Sequence, residues 1–235
     1  MTAIYKKELR SYFISPIGYI FVASFLMVSS LIFVYTNLYQ GTTNVTSYFQ
    51  ILLFLFSALF PILTMRMFSE EKKSKTEQIL LTSPVSLPAI ICAKFFAAYT
   101  LFAGTFLLSC LNFIALFRDN SSPNMAIVAA GIFEILLIGA VFVALGIFVS
   151  ACTENQFVSA ILTILGIVAF LAISIVSRYV PVTFLREAMN WVSVFGRFDS
   201  ASKGQLDFAS LIYYVSLTVI FLFLTVRVFE KRRWE

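Results

Sequence analysis

Residues 125–149 read MAIVAAGIFEILLIGAVFVALGIFV. One ionisable side chain, Glu134, interrupts a run longer than the roughly 20 residues a helix needs to cross a hydrocarbon layer of about 30 Å. The stretch is apolar on every face, which excludes a surface helix with one wet side. Working outward, uncharged runs of similar character occupy 17–35, 48–65, 95–117, 157–177 and 208–226. Polar breaks at 40–44, 66–88, 118–123, 153–156 and 178–207 separate them. The expectation is an all-α integral membrane protein forming a single domain over 1–235. Its six transmembrane helices should lie at about 17–38, 47–66, 89–117, 124–150, 156–177 and 207–228.

The composition of the 235 residues agrees, with 60% apolar, 17% aromatic, only 12% charged and a mean hydropathy of +0.93. A soluble domain carries about a quarter charged residues, so this chain cannot cover a globule of its size with polar side chains. Disorder needs the opposite bias. The absence of histidine removes imidazole metal sites and Ser-His-Asp or Cys-His catalysis. Cys92, Cys110 and Cys152 are scattered, without a C-x-x-C pair, and read as small buried hydrophobes.

Of the 17 basic residues, twelve fall in three segments. These are Lys6, Lys7 and Arg10; Arg66, Lys72, Lys73, Lys75 and Lys94; and Arg227, Lys231, Arg232 and Arg233. Arg118, Arg178, Arg186, Arg197 and Lys203 fall in the alternate loops. Basic residues mark the cytoplasmic side, so both termini are expected there. The +5 net charge is then a topology signal and not a nucleic-acid patch, because it is divided among separate segments. The first apolar run is too long for a signal-peptide core and five more follow. Residues 2–15 instead read as an amphipathic interfacial helix, with Tyr5, Leu9, Tyr12 and Phe13 opposite Lys6, Lys7 and Arg10.

The loop at 67–88 holds the densest charge. Glu70, Glu71, Lys72, Lys73, Lys75 and Glu77 are followed by Ile79, Leu80 and Leu81, and Pro84 ends the segment. A short helix, charged in its first half and apolar in its second, suits docking on another protein; a solvated topology anchor is the alternative. At 153–156, Thr153 and Gln156 have the spacing of a capping box for the fifth span. Glu134, about ten residues into the fourth span, is costly in lipid. Either it hydrogen-bonds a Ser or Thr between helices or it lines a substrate path. The outer segment 179–206 places Phe184, Ala188, Trp191 and Phe195 at helical spacing, with Pro181 before and Gly196 after. It reads as re-entrant or interfacial helices, serving as a lid or as an anchor.

Glu70-Glu71-Lys72-Lys73, Lys75-Thr76-Glu77-Gln78, Leu80-Leu81-Thr82-Ser83-Pro84-Val85 and the later Lys94 resemble the coupling-helix loop of ABC-2-type ABC transporter permeases. The chain is similar, more narrowly, to the branch of gliding-motility-associated and nitrous-oxide-accessory permeases. Residues 6–16, the turn 150–156 and the tail from 193 to 234 carry that likeness. It implies a non-catalytic permease subunit, an exporter, in a bacterial plasma membrane. A separate cytoplasmic ATPase would bind ATP and Mg and dock at Glu70, Glu71, Lys72, Thr76, Glu77, Gln78, Leu80, Leu81, Thr82 and Pro84. No G-x-x-x-x-G-K-[ST] loop occurs here. Thr153, Glu154, Asn155 and Gln156 would form a second contact. The resemblance also implies a second permease copy, identical or not, and an accessory subunit anchored in the membrane with an outer domain. Many relatives carry Gly before the Thr where this chain has Lys75, so no single salt bridge is carried over. Ala140-x-x-x-Ala144 and Gly146-x-x-x-Ser150 supply small faces for close helix packing. A stand-alone channel or ion-coupled transporter is the second class; an intramembrane enzyme, lacking any carboxylate pair or Cys cluster, is the third.

Overall fold

The computed structural model describes residues 2–74, 76, 85–117, 124–177, 179–201, 204 and 207–234. Among them the chain is entirely helical. In order come α1 (Thr2–Ile14), α2 (Pro16–Phe33), α3 (Thr46–Thr64), α4 (Ser69–Lys73) and α5 (Leu87–Ser109). Then follow α6 (Met125–Cys152), α7 (Gln156–Val176), α8 (Thr183–Val192), α9 (Val194–Ala201) and α10 (Phe208–Trp234). Helix α2 widens into a π-helical turn over Val34–Tyr39, and α5 tightens into 3₁₀ over Cys110–Phe117. Six helices, α2, α3, α5, α6, α7 and α10, are long and apolar enough to cross a membrane.

Ser15 makes the first corner: its side chain accepts from Ile17 N, and Pro16 opens α2, where its missing N–H is no loss. Helix α6 is the axis of the bundle, packed by α3, α5, α7 and, most extensively, α10. Its all-round apolar sequence follows from that position. Glycines on α6 admit neighbouring side chains that a Cβ would displace: Phe49 at Gly131, Phe102 at Gly139 and Thr64 at Gly146. The Gly146-x-x-x-Ser150 face therefore receives α3 and α4 of the same chain. Gly139→Leu is expected to push Phe102 out of the core and cost about 1–3 kcal/mol by overpacking. Thermal unfolding in detergent would read this as a lowered midpoint with the oligomeric state unchanged.

Many of the 27 phenylalanines fill the interior. Phe56 meets Phe102 edge-on at 5.5 Å between ring centres, and Phe60 meets Phe102 at 4.9 Å. Such pairs add about 0.5–1.5 kcal/mol beyond their burial.

Two local expectations are corrected. The cap of α7 is Asn155, whose Oδ1 accepts from Phe157 N at 2.9 Å. Thr153 instead donates to Val149 O at the end of α6, so the Thr153–Gln156 capping box is not formed. The outer segment before α10 is two helices, α8 and α9. Ser193 breaks it, and its Oγ accepts from Gly196 N at 2.8 Å as the cap of α9. Cys152 is exposed, because it sits in the last turn of α6, beyond the packed bundle; Cys92 and Cys110 are half-buried.

Candidate functional site: the junction around Ser69–Lys73

The chain makes a tight corner between α3 and α4 at the end of the bundle that carries both termini. Ser150, on α6, holds the corner. Its Oγ accepts from Phe68 N and Ser69 N, both at 3.1 Å, and donates to Met65 O at 3.3 Å. Ser69 Oγ also donates to Met65 O. These bonds satisfy amides that a five-residue helix leaves unpaired at its start. Arg66 grips Glu70 through two parallel bonds of 2.6 Å, Nε to Oε2 and Nη2 to Oε1.

Beneath the corner lies Lys94 of α5, only 2% exposed. Its ammonium donates to Glu71 Oε1 at 2.8 Å, Met67 O at 3.0 Å and Glu8 Oε1 at 3.2 Å, and sits 5.0 Å from the Phe68 ring centre. Three donors meet three acceptors, the full capacity of an ammonium group. Glu8 belongs to α1, Met67 and Glu71 to the corner and α4, so one buried cation ties three parts of the chain. Tyr12 of α1 adds a bond to Leu63 O at 2.9 Å. Between α1, the corner and α5 lies a polar cavity of about 520 Å³ that Arg66, Glu70, Glu71 and Lys94 help to line.

The far side of α4 reaches the turn between α6 and α7. Lys72 Nζ lies 2.9 Å from Glu154 Oε1. The lysine's hydrogen bond and charge hold the Glu154 carboxyl below the usual carboxylate range. Glu154 is exposed, so salt screens this pair and it adds little stability. Phe68 packs on Phe229 of α10 at 4.7 Å, and Arg232 Nη2 donates to Ala151 O at 2.6 Å. A displacement of α4 must therefore be felt by α1, α5, α6 and α10.

The structure brings Glu70, Glu71, Lys72 and Thr76 to this junction, with Glu154 beside them. Thr76 is exposed and folds back, its N and Oγ1 bonding Glu71 O. Asn155 and Gln156 lie on the neighbouring turn. Glu77, Gln78, Leu80, Leu81, Thr82 and Pro84 lie outside the described residues. Glu134 is remote from the junction, near the opposite end. There it is 5% exposed and accepts from Tyr214 Oη at 3.4 Å. The sequence marks Lys94 as a loop-flank charge and as part of the coupling-loop likeness, and gives Glu8 and Phe229 no individual role. A lysine flanked by Ala93 and Phe95 inside an apolar helix was the available signal.

A family model described as ABC-2 family transporter protein matches residues 30–229, most of the chain. The chain belongs to the ABC-2 transporter family. It is thus a multi-pass membrane protein and the permease component of an ABC transporter, the part that is generally non-catalytic. A comparison with curated proteins gives no match.

Proposed function

We propose that this permease couples a separate cytoplasmic ATPase, which binds ATP and Mg, to the export of a substrate across a bacterial plasma membrane. The observation that carries the reading is the wiring of α4. A five-residue helix has no use for ties to α1, α5, α6 and α10 unless its position matters to all of them. With both termini cytoplasmic, as the basic residues indicate, the junction faces the ATPase. The segment from Glu70 to Pro84 is the main docking surface, with Leu80 and Leu81 as its apolar anchors. Thr153 to Gln156 form a second contact, linked to the first by the pair of Lys72 and Glu154. ATP-driven closure of the ATPase would push α4, and the bundle would rock as packed helices do, between two arrangements.

The permease works as a dimer with a second copy, identical or related, and its likeness to gliding-motility-associated permeases supports a membrane-anchored accessory subunit with an outer domain. Glu134 belongs to the cargo path in this reading. It lines a cavity of about 140 Å³ between α6 and α10 with Phe133, Asp207 and Ser210.

Purification of the intact complex from its native membrane tests the proposal. An ATPase subunit should accompany the permease in equal amount, and Leu80→Asp with Leu81→Asp should abolish that association while the permease stays folded. A chain that runs alone and conducts ions in liposomes without ATP would make it a channel or ion-coupled transporter.

A further inference from the structure

A cavity of about 860 Å³ lies at the end opposite the junction, between α7, the α8–α9 pair and α10. Its volume is in the range of small-molecule sites. Ser174, Ser177, Asn190, Ser193 and Ser216 supply hydroxyl and amide groups to its wall, and Arg197 is the one charged side chain in its described lining. No carboxylate lines it among the described residues.

Arg197 is held in a defined pose. Its Nε and Nη2 donate to Trp191 O at 3.3 and 3.1 Å, and its guanidinium carbon lies 4.3 Å from the Tyr213 ring centre and 5.8 Å from that of Trp191. Tyr213 is fixed in turn by a 2.7 Å bond to Val192 O. Those two bonds use one edge of a group with five N–H donors. The remaining N–H groups make no hydrogen bond, and the cation forms no ion pair, among the described residues. A planar fork with one edge anchored on a carbonyl and stacked on aromatic rings is pre-organised for a two-oxygen anion. The cavity's apolar side is formed by Ile212 and Ala209 of α10, and Trp191 is 73% exposed beside it. Tryptophan favours the headgroup level of a bilayer.

We propose that this cavity binds a phosphate-type anion through Arg197, the phosphate being that of an anionic lipid headgroup or a free ion. The Asn190 amide receives a further oxygen, and an acyl chain, where there is one, follows the Ile212 face of α10. The site is independent of the ATPase reading, since it can be occupied without ATP.

The chain contains two tryptophans, so Trp234→Phe leaves Trp191 as the sole reporter. The full-length variant is placed in phosphatidylcholine nanodiscs, and brominated phosphatidylglycerol is added in one arm and inorganic phosphate in the other. Saturable quenching by brominated phosphatidylglycerol, above that by brominated phosphatidylcholine, identifies a lipid headgroup. A saturable shift of Trp191 emission with phosphate identifies a free anion. In whichever arm responds, Arg197→Gln should weaken apparent affinity at least about tenfold, with Arg197→Lys in between. Ser216→Leu, which fills the cavity from α10 and leaves Arg197 in place, should weaken it too, and so guards against a mere loss of α9 packing. The proposal is overturned if neither probe saturates on the parent protein, or if Arg197→Gln and Ser216→Leu both bind like the parent.

Discussion

Lys94→Gln is expected to destabilise the permease by about 3–5 kcal/mol and to reduce ATP-driven transport more than ATP hydrolysis by the assembled complex. The first half follows from burial. At 2% exposure Lys94 has no water to fall back on, and its removal leaves Glu8 and Glu71 facing one cavity without their shared cation. Breaking a buried ion pair on one side is costly because the surviving charge stays desolvated. Glu71 Oε2 already has no hydrogen-bond partner among the described residues, so Glu71 depends on Lys94 for its compensation. The second half follows from connectivity. Without Lys94, α4 remains attached to α6 through Ser150 but loses its link to α1 and α5, so a push on α4 is transmitted incompletely.

A companion variant separates the two effects. Lys94→Met with Glu71→Leu and Glu8→Gln removes the buried cation and its two carboxylate partners together, leaving the exposed Lys7 that also pairs with Glu8, and apolar replacements of buried ion pairs are often neutral or stabilising. Thermal unfolding of this triple variant should return close to the parent, while transport per ATP hydrolysed stays low. Recovery of transport along with stability would mean that the cluster only holds the fold.

The contrast between Lys94 and the rest of the chain shows what the sequence makes legible. The six spans could be read because length and apolarity are local properties, and a helix in lipid must satisfy its backbone within itself. Glu70, Glu71 and Lys72 could be read as a cluster because they are contiguous. Their partners could not. Glu8, Lys94, Ser150 and Phe229 are scattered along the chain, and only the packing of α1, α5 and α10 around α6 brings them to one corner. Helix caps failed for another reason. Thr153 and Asn155 are both competent caps for α7, and which one is used depends on where the helix actually starts, a boundary that hydrophobic pattern leaves open by a residue or two. The exposure of Cys152 was missed because hydropathy places a residue in a span without placing it relative to the span's end.

Substitutions of Glu134 should separate into tolerated and lethal ones. The residue lies about 13 Å along α6 from its start, and Tyr214 Oη reaches both Glu134 Oε1 at 3.4 Å and Val194 O at 3.1 Å. This joins α6, α9 and α10 at one buried point. Glu134→Gln keeps the shape and a carbonyl acceptor for Tyr214, so a folded, monodisperse protein is expected. Glu134→Lys sets a longer cation in the same place. It should cost at least about 3 kcal/mol, as an uncompensated charge in a membrane interior does, and yield little folded protein. Transport by Glu134→Gln then bears on the path. A carboxyl that meets cargo makes transport depend on pH, and Asp207 and Tyr214 are the other titratable groups facing it from α10 and its approach. The Gln variant should therefore show a flatter transport profile between pH 5 and 8 than the parent. Superimposable profiles would leave Glu134 as a tie between helices and remove its charge from transport.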